Sequence, residues 1–108
     1  MPIFEMSPVN EKYFVCRKSG EFEQIQDAYP VKLPLFGKRI ECALHRSLSG
    51  NGYAITEQYT GKQIAYHPGT KKMVLQEALA KLLFVEIAKP ESYINELFSG
   101  NLSPRYAR

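Results

Sequence analysis

Apolar and polar residues alternate through the first two-thirds of the chain, and apolar residues recur at helical spacing in the last third, so the pattern changes period once, near residue 70. Tyr13 to Lys18 is the first strand candidate, and Ser19-Gly20 is a turn signal. Glu21 to Asp27 is the weakest strand candidate because its alternation is poor. Pro30 and Pro34 flank Val31, Leu33 and Leu35, an alternation that suits an edge strand only, since proline lacks the donor that a central ladder demands. After Phe36-Gly37-Lys38, Arg39 to Arg46 is the clearest strand, with Ile40, Cys42 and Leu44 on one face and Arg39, Glu41 and His45 on the other. Ser49-Gly50-Asn51-Gly52 predicts a hairpin into Tyr53 to Tyr59, and Thr60-Gly61 a second one into Gln63 to His67. Tyr53 and Ile55 are expected to share a cross-strand face with Ile64 and Tyr66.

Pro68-Gly69 ends the sheet, and Thr70 sits where an N-cap belongs, ahead of a helix from Lys71 to about Ala88. At 100° per residue, Val74, Ala78, Leu82 and Val85 form one apolar row and Leu75, Leu79, Leu83 and Ile87 the next. Met73, Ala80 and Phe84 add a further row on the far flank, so this helix is expected to be covered on more than one side. Glu86 projects into the apolar arc, which predicts either fraying before it or a cation beside it. Lys89 precedes Pro90, which starts a second short helix to Phe98, closed by Gly100. The Tyr93, Ile94 and Leu97 side of that helix is the simplest cover for the Met73, Ala80 and Phe84 row.

Strands that are adjacent in sequence and precede the helices predict an α+β fold, an antiparallel meander of about four to six short strands packed on a long C-terminal helix plus a short one. A chain of 108 residues is expected to bury roughly two-thirds of its unfolded surface, enough for one domain over residues 1–100. Residues 1–12, with Pro2, Pro8 and Asn10, read as an irregular lead-in in which Ile3 and Phe4 fold back on the core. Residues 101–108 read as a mobile tail.

The formal charge is +3, but Arg105 and Arg108 carry two of those charges, so residues 1–100 hold about +1 by the same count. The body therefore has no electrostatic footprint of a nucleic-acid binder unless its basic pairs, Arg17-Lys18, Lys38-Arg39 and Lys71-Lys72, converge on folding. No secretory apolar core follows Met1, and the two cysteines lie inside apolar runs, which predicts a reduced, cytoplasmic protein. The most apolar stretch, Ala78 to Ala88, is interrupted by Lys81 and Glu86 and falls short of the ~20 residues of a membrane span.

Candidate chemistry is sparse. Cys16, Cys42, His45 and His67 are the only soft or imidazole metal ligands, and Cys42 and His45, three apart on one strand, point to opposite faces; no metal and no cofactor is expected. Both thiols are expected to point inward, where burial keeps a thiol inert, and both histidines to lie on the surface or at an edge. Gly50-Asn51-Gly52 opens no helix, so it is a hairpin rather than a phosphate cradle. An enzyme would need a cleft uniting His45 or His67 with a carboxylate or thiol.

Two binding classes remain. Tyr59, Lys62, Tyr66, His67, Lys71 and Lys72 gather in sequence around the last hairpin and the helix start, and could stack on bases and meet phosphates. A strand pair followed by Thr-Lys-Lys and a helix, over Tyr53 to Leu82, loosely resembles the small arm-binding domain of tyrosine recombinases, which implies the same class of partner. Met73, Ala80 and Phe84 instead suggest contact with a protein or with a second copy. The chain is expected to be a non-enzymatic, protein-binding module of the adaptor or inhibitor kind, such as a counter-defence inhibitor carried by a phage or mobile element, with nucleic-acid binding as the alternative and an enzyme as the third.

Overall fold

The computed structural model describes residues 13–100 and 102–104. The expected lead-in, including Ile3 and Phe4, and most of the expected tail lie outside the described residues. The fold is α+β, with antiparallel strands followed by helices. A two-stranded hairpin comprises β1 (Tyr13–Cys16) and β2 (Phe22–Ile25). A four-stranded sheet follows in the order β3 (Tyr29–Leu35), β4 (Lys38–Arg46), β5 (Tyr53–Glu57) and β6 (Gln63–His67). The chain then enters α1 (Lys71–Ala88), a single 3-10 turn (Glu91–Tyr93) and α2 (Ile94–Leu97).

The strands thus form two sheets rather than one continuous meander, and the prolines account for the break. Pro30 and Pro34 share one parity along β3, opposite Ala43 and Arg39 of β4. A proline there leaves no amide gap in the β3–β4 ladder only if its nitrogen faces outward, so the outer edge of β3 lacks two donors and cannot accept β2 as a neighbour. Asp27, with φ of 51°, redirects the chain between β2 and β3.

One face of the larger sheet carries Val31, Leu33, Leu35, Cys42, Leu44 and Ile55, and packs against Val74, Ala78, Leu82 and Val85 of α1. The opposite face is covered by the hairpin, where Tyr13, Val15, Ile25 and Ala28 close over Ala43. Gln58 fastens that hairpin: its Oε1 accepts from the Phe14 amide at 2.9 Å and its Nε2 donates to the Phe14 carbonyl at 3.0 Å, as a neighbouring strand would. The Cys16 amide adds a bond to the Gly61 carbonyl at 2.8 Å.

β5 and β6 pair with a register shift: Ile55 faces Ala65, and Thr56 faces Gln63, so Ile64 is the extra residue of a bulge. Ile64 and Ala65 both join the helix-side core, whereas Tyr66 lies opposite Ala54 and is 39% exposed. The expected face of Tyr53, Ile55, Ile64 and Tyr66 is corrected accordingly, because the bulge inverts the alternation after Ile64. Lys81 reaches across to this edge, its Nζ donating to the Ile64 carbonyl at 2.9 Å.

Thr70 caps α1 as expected, Oγ1 accepting from the Met73 amide at 3.2 Å. The helix does not fray at Glu86, and among the described residues no cation forms an ion pair with it. Its carboxylate accepts from the Phe36 amide at 2.7 Å, holding a turn in which Phe36 and Gly37 both have positive φ. Lys89 is extended, as a residue before proline must be, and the chain folds back so that Tyr93, Ile94, Leu97 and Phe98 pack on the margin of the main core. At residue 103 the chain is anchored: Ser103 is buried, and its amide donates to the Tyr59 carbonyl at 2.8 Å.

Candidate functional site

The side of α1 turned away from the sheet is apolar and open. Met73 is 46% exposed, Leu79 40%, Leu83 57%, Phe84 67% and Ile87 77%, with Ala80 exposed between them. Two expectations are corrected here. Leu79, Leu83 and Ile87 are not part of a second buried row, because a helix laid on one sheet buries a single stripe, and that stripe is fully used by Val74, Ala78, Leu82 and Val85. Nor does the second helix cover Met73, Ala80 and Phe84. Leu97 and Phe98 settle beside Lys81, Leu82 and Ile64, at the margin of the sheet-side core. Sequence reasoning named three residues of this face and missed Leu79, Leu83 and Ile87. The available signal was that apolar residues circle more of α1 than one sheet can bury.

The residues considered for nucleic acid do not form one surface. Tyr59 and Lys62 sit at the β5–β6 turn, while His67 ends β6 and Lys71 and Lys72 follow it, roughly 16 Å or more away at the rise of an extended strand. Tyr66 projects from the sheet face opposite α1. Several of these groups are also engaged. Lys62 Nζ donates to Ser99 Oγ at 3.3 Å, and His67 Nδ1 accepts from the Gly69 amide at 2.9 Å. Lys71 Nζ donates to the Tyr29 hydroxyl at 2.8 Å and lies 4.2 Å from the centre of that ring.

The thiols and imidazoles are dispersed. Cys42 is buried in the helix-side core, where burial pushes its thiol up, with the Glu57 and Glu41 carboxylates adding to the effect. Cys16 is only half-buried, which corrects the expectation that both thiols point inward: Tyr13 and Val15 take the inner face of β1, so Cys16 faces the other way. Among the described residues no group of three or more His, Cys, Asp or Glu side chains lies close enough to hold a metal ion.

His45 is 1% exposed, not a surface or edge residue as expected, because the hairpin side of the sheet is also covered. Its Nδ1 lies 2.7 Å from the Arg46 carbonyl and its Nε2 2.5 Å from Thr56 Oγ1. A carbonyl can only accept, so the neutral ring carries its proton on Nδ1, and Nε2 accepts from the Thr56 hydroxyl. Burial holds this imidazole below its ordinary value of 6.5, against a smaller upward pull from the Arg46 carbonyl. As pH falls past about 6.5 the unfolded chain takes up the proton first. His45 therefore contributes stability that is complete above that pH and drains away below it. Thermal unfolding between pH 8 and pH 5 is expected to show a falling Tm on the acid side, with a shallower fall in His45→Gln. An equal slope in the two proteins contradicts this role.

Among the hollows on the described surface, two lie beside charged side chains. One, of about 800 Å³, lies between the start of β4 and α2 and includes Arg39, Glu41, Glu57 and Tyr59. Its buried acid is fully occupied, since Glu57 accepts from the Tyr59 amide, from the Thr60 amide at 3.0 Å and from Thr60 Oγ1 at 2.6 Å. The other, of about 730 Å³, lies at the start of α1, where Arg46 stands over Tyr53 at 5.1 Å and Lys71 is held by Tyr29. Comparison with protein-family models, curated proteins and solved structures finds no match to this chain. Among the described residues no helix is long and apolar enough to cross a membrane.

On the outer face of α1 five large apolar side chains still meet water.

Proposed function

We propose that this protein is a non-enzymatic interaction module that engages a protein through the outer face of α1, as an adaptor or inhibitor does. The observation that carries this reading is the exposure of Met73, Leu79, Leu83, Phe84 and Ile87 along one side of a single rigid helix. Large aliphatic and aromatic side chains on a fixed scaffold are suited to binding, because covering them releases water and costs little conformational entropy. The helix needs none of them for its own attachment, which rests on Val74, Ala78, Leu82 and Val85.

Phe84→Glu is the direct test, since Phe84 is 67% exposed and its replacement leaves the core untouched. The tagged variant is expected to keep the native circular dichroism and Tm while losing its bound protein in affinity purification. Binding falls about tenfold or more if Phe84 lies near the centre of the contact. A folded Phe84→Glu protein that retains the same partner at the same yield refutes the reading.

A further inference from the structure

We propose that Asn51 is a modification site, losing its side-chain amide by attack of the Gly52 backbone nitrogen, so that the β4–β5 turn acquires an aspartyl or isoaspartyl link. The Gly52 nitrogen bonds to Asn51 Cγ, the Cγ–Nδ2 bond breaks, and the Gly52 amide proton leaves on the departing ammonia. The two residues are then joined in a five-membered imide. Water opens the imide at Cγ to give aspartate, or at the Asn51 main-chain carbonyl to give isoaspartate, in which the chain runs through the side chain. The step is a hydrolysis overall, and water is its only co-reactant.

Three observations place the reaction here. Of the four asparagines in the chain only Asn51 precedes glycine, and a residue without Cβ lets its nitrogen approach the neighbouring carboxamide. Asn51 is also exposed, and among the described residues its carboxamide has no hydrogen-bond partner to hold it away from the backbone. The hydrogen bonds of the turn, finally, pass over the attacking group. The Ser47 amide donates to the Gly52 carbonyl at 3.1 Å, the Gly50 amide to the Ser47 carbonyl at 2.9 Å and the Asn51 amide to Ser49 Oγ at 3.4 Å. Among the described residues nothing accepts from the Gly52 amide, so no bond is given up when it loses its proton. Asn95 is exposed as well, but it lies within α2 and precedes Glu96, where the helical backbone and the next side chain keep nitrogen and carboxamide apart.

The product bears on the fold. An isoaspartyl link adds a methylene to the main chain just ahead of Gly52, which is buried against the backbone of His67 and Pro68. The strain is therefore passed to the segment that leads into α1.

The full chain is incubated in mildly alkaline buffer beside an unstructured peptide of residues 48–55, and both are followed by peptide mass spectrometry. Asn51 of the folded protein is expected to convert at a rate within about tenfold of the peptide's, while Asn95 keeps its amide. The acidic product, one negative charge away from the native formal charge of +3, separates on ion exchange. Its isoaspartyl fraction is expected to unfold at a lower Tm than the native chain. Asn51→Gln keeps an amide but can close only a six-membered ring, and is expected to lose the conversion. A rate slower than the peptide's by more than about tenfold overturns the proposal, as does equal conversion at Asn95 or an unchanged yield of acid in Asn51→Gln.

Discussion

Glu57→Ala is expected to lower the stability of the protein by about 3–4 kcal/mol. Glu57 ends β5 with 3% of its surface exposed, and its carboxylate folds over the turn that follows. One oxygen accepts from the Tyr59 amide, the other from both the amide and the hydroxyl of Thr60. Removing the carboxylate strands these donors in a turn closed on one side by Gln58, whose amide is bonded to the Glu41 carbonyl at 2.9 Å, and on the other by Gly61. Bonds to an ionised acceptor contribute more than neutral ones, and the two buried Thr60 donors left without a partner cost the full desolvation of each. The same turn holds the hairpin through Gln58 and Gly61, so its loosening also weakens the attachment of β1. Glu57→Gln keeps the shape, loses the charge and is expected to cost about half as much. Urea unfolding measures both losses, and hydrogen exchange at the Tyr59 and Thr60 amides locates them. Wild-type stability in Glu57→Ala would mean that the turn draws its order from elsewhere.

Local rules of sequence reach some parts of this architecture and fail at others for identifiable reasons. Thr70, Pro30, Pro34 and the Asn51-Gly52 pair act through their own backbone, so the N-cap, the edge strand and the hairpin could be read without knowing the tertiary structure. The row Val74, Ala78, Leu82 and Val85 was legible because its period is that of the helix itself. His45 was misplaced because strand alternation says which residues share a face but not whether a second layer covers that face. The bond from Glu86 to Phe36 spans fifty residues, and nothing near Glu86 announces it. The candidate site was legible in part. Met73, Ala80 and Phe84 stood out as surplus to one sheet, while Leu79, Leu83 and Ile87 were indistinguishable from core until the sheet's capacity to bury helix surface was known. Thus the candidate face lies where periodic pattern and available cover disagree.

Gly52→Val is expected to cost about 3 kcal/mol or more, against about 1 kcal/mol for Gly50→Ala, although the two glycines share one turn. Both have positive φ, 77° at Gly52 and 83° at Gly50, so any side chain at either position bears left-handed strain. Only Gly52 is also enclosed. A Cβ there would stand 2.3 Å from the His67 carbonyl oxygen and 2.6 Å from the Pro68 Cα, both backbone atoms, whereas a Cβ at Gly50 meets nothing within 4 Å. The β4–β5 turn can yield only by pushing away the segment that leads from β6 into Thr70, and this segment sets where α1 begins on the sheet. The damage should therefore spread beyond the turn. Exchange at the Met73 and Val74 amides, which bond to Thr70, is expected to quicken in Gly52→Val and to stay unchanged in Gly50→Ala. Equal losses in the two variants would assign the whole effect to left-handed strain and disprove a steric link between the turn and the helix start.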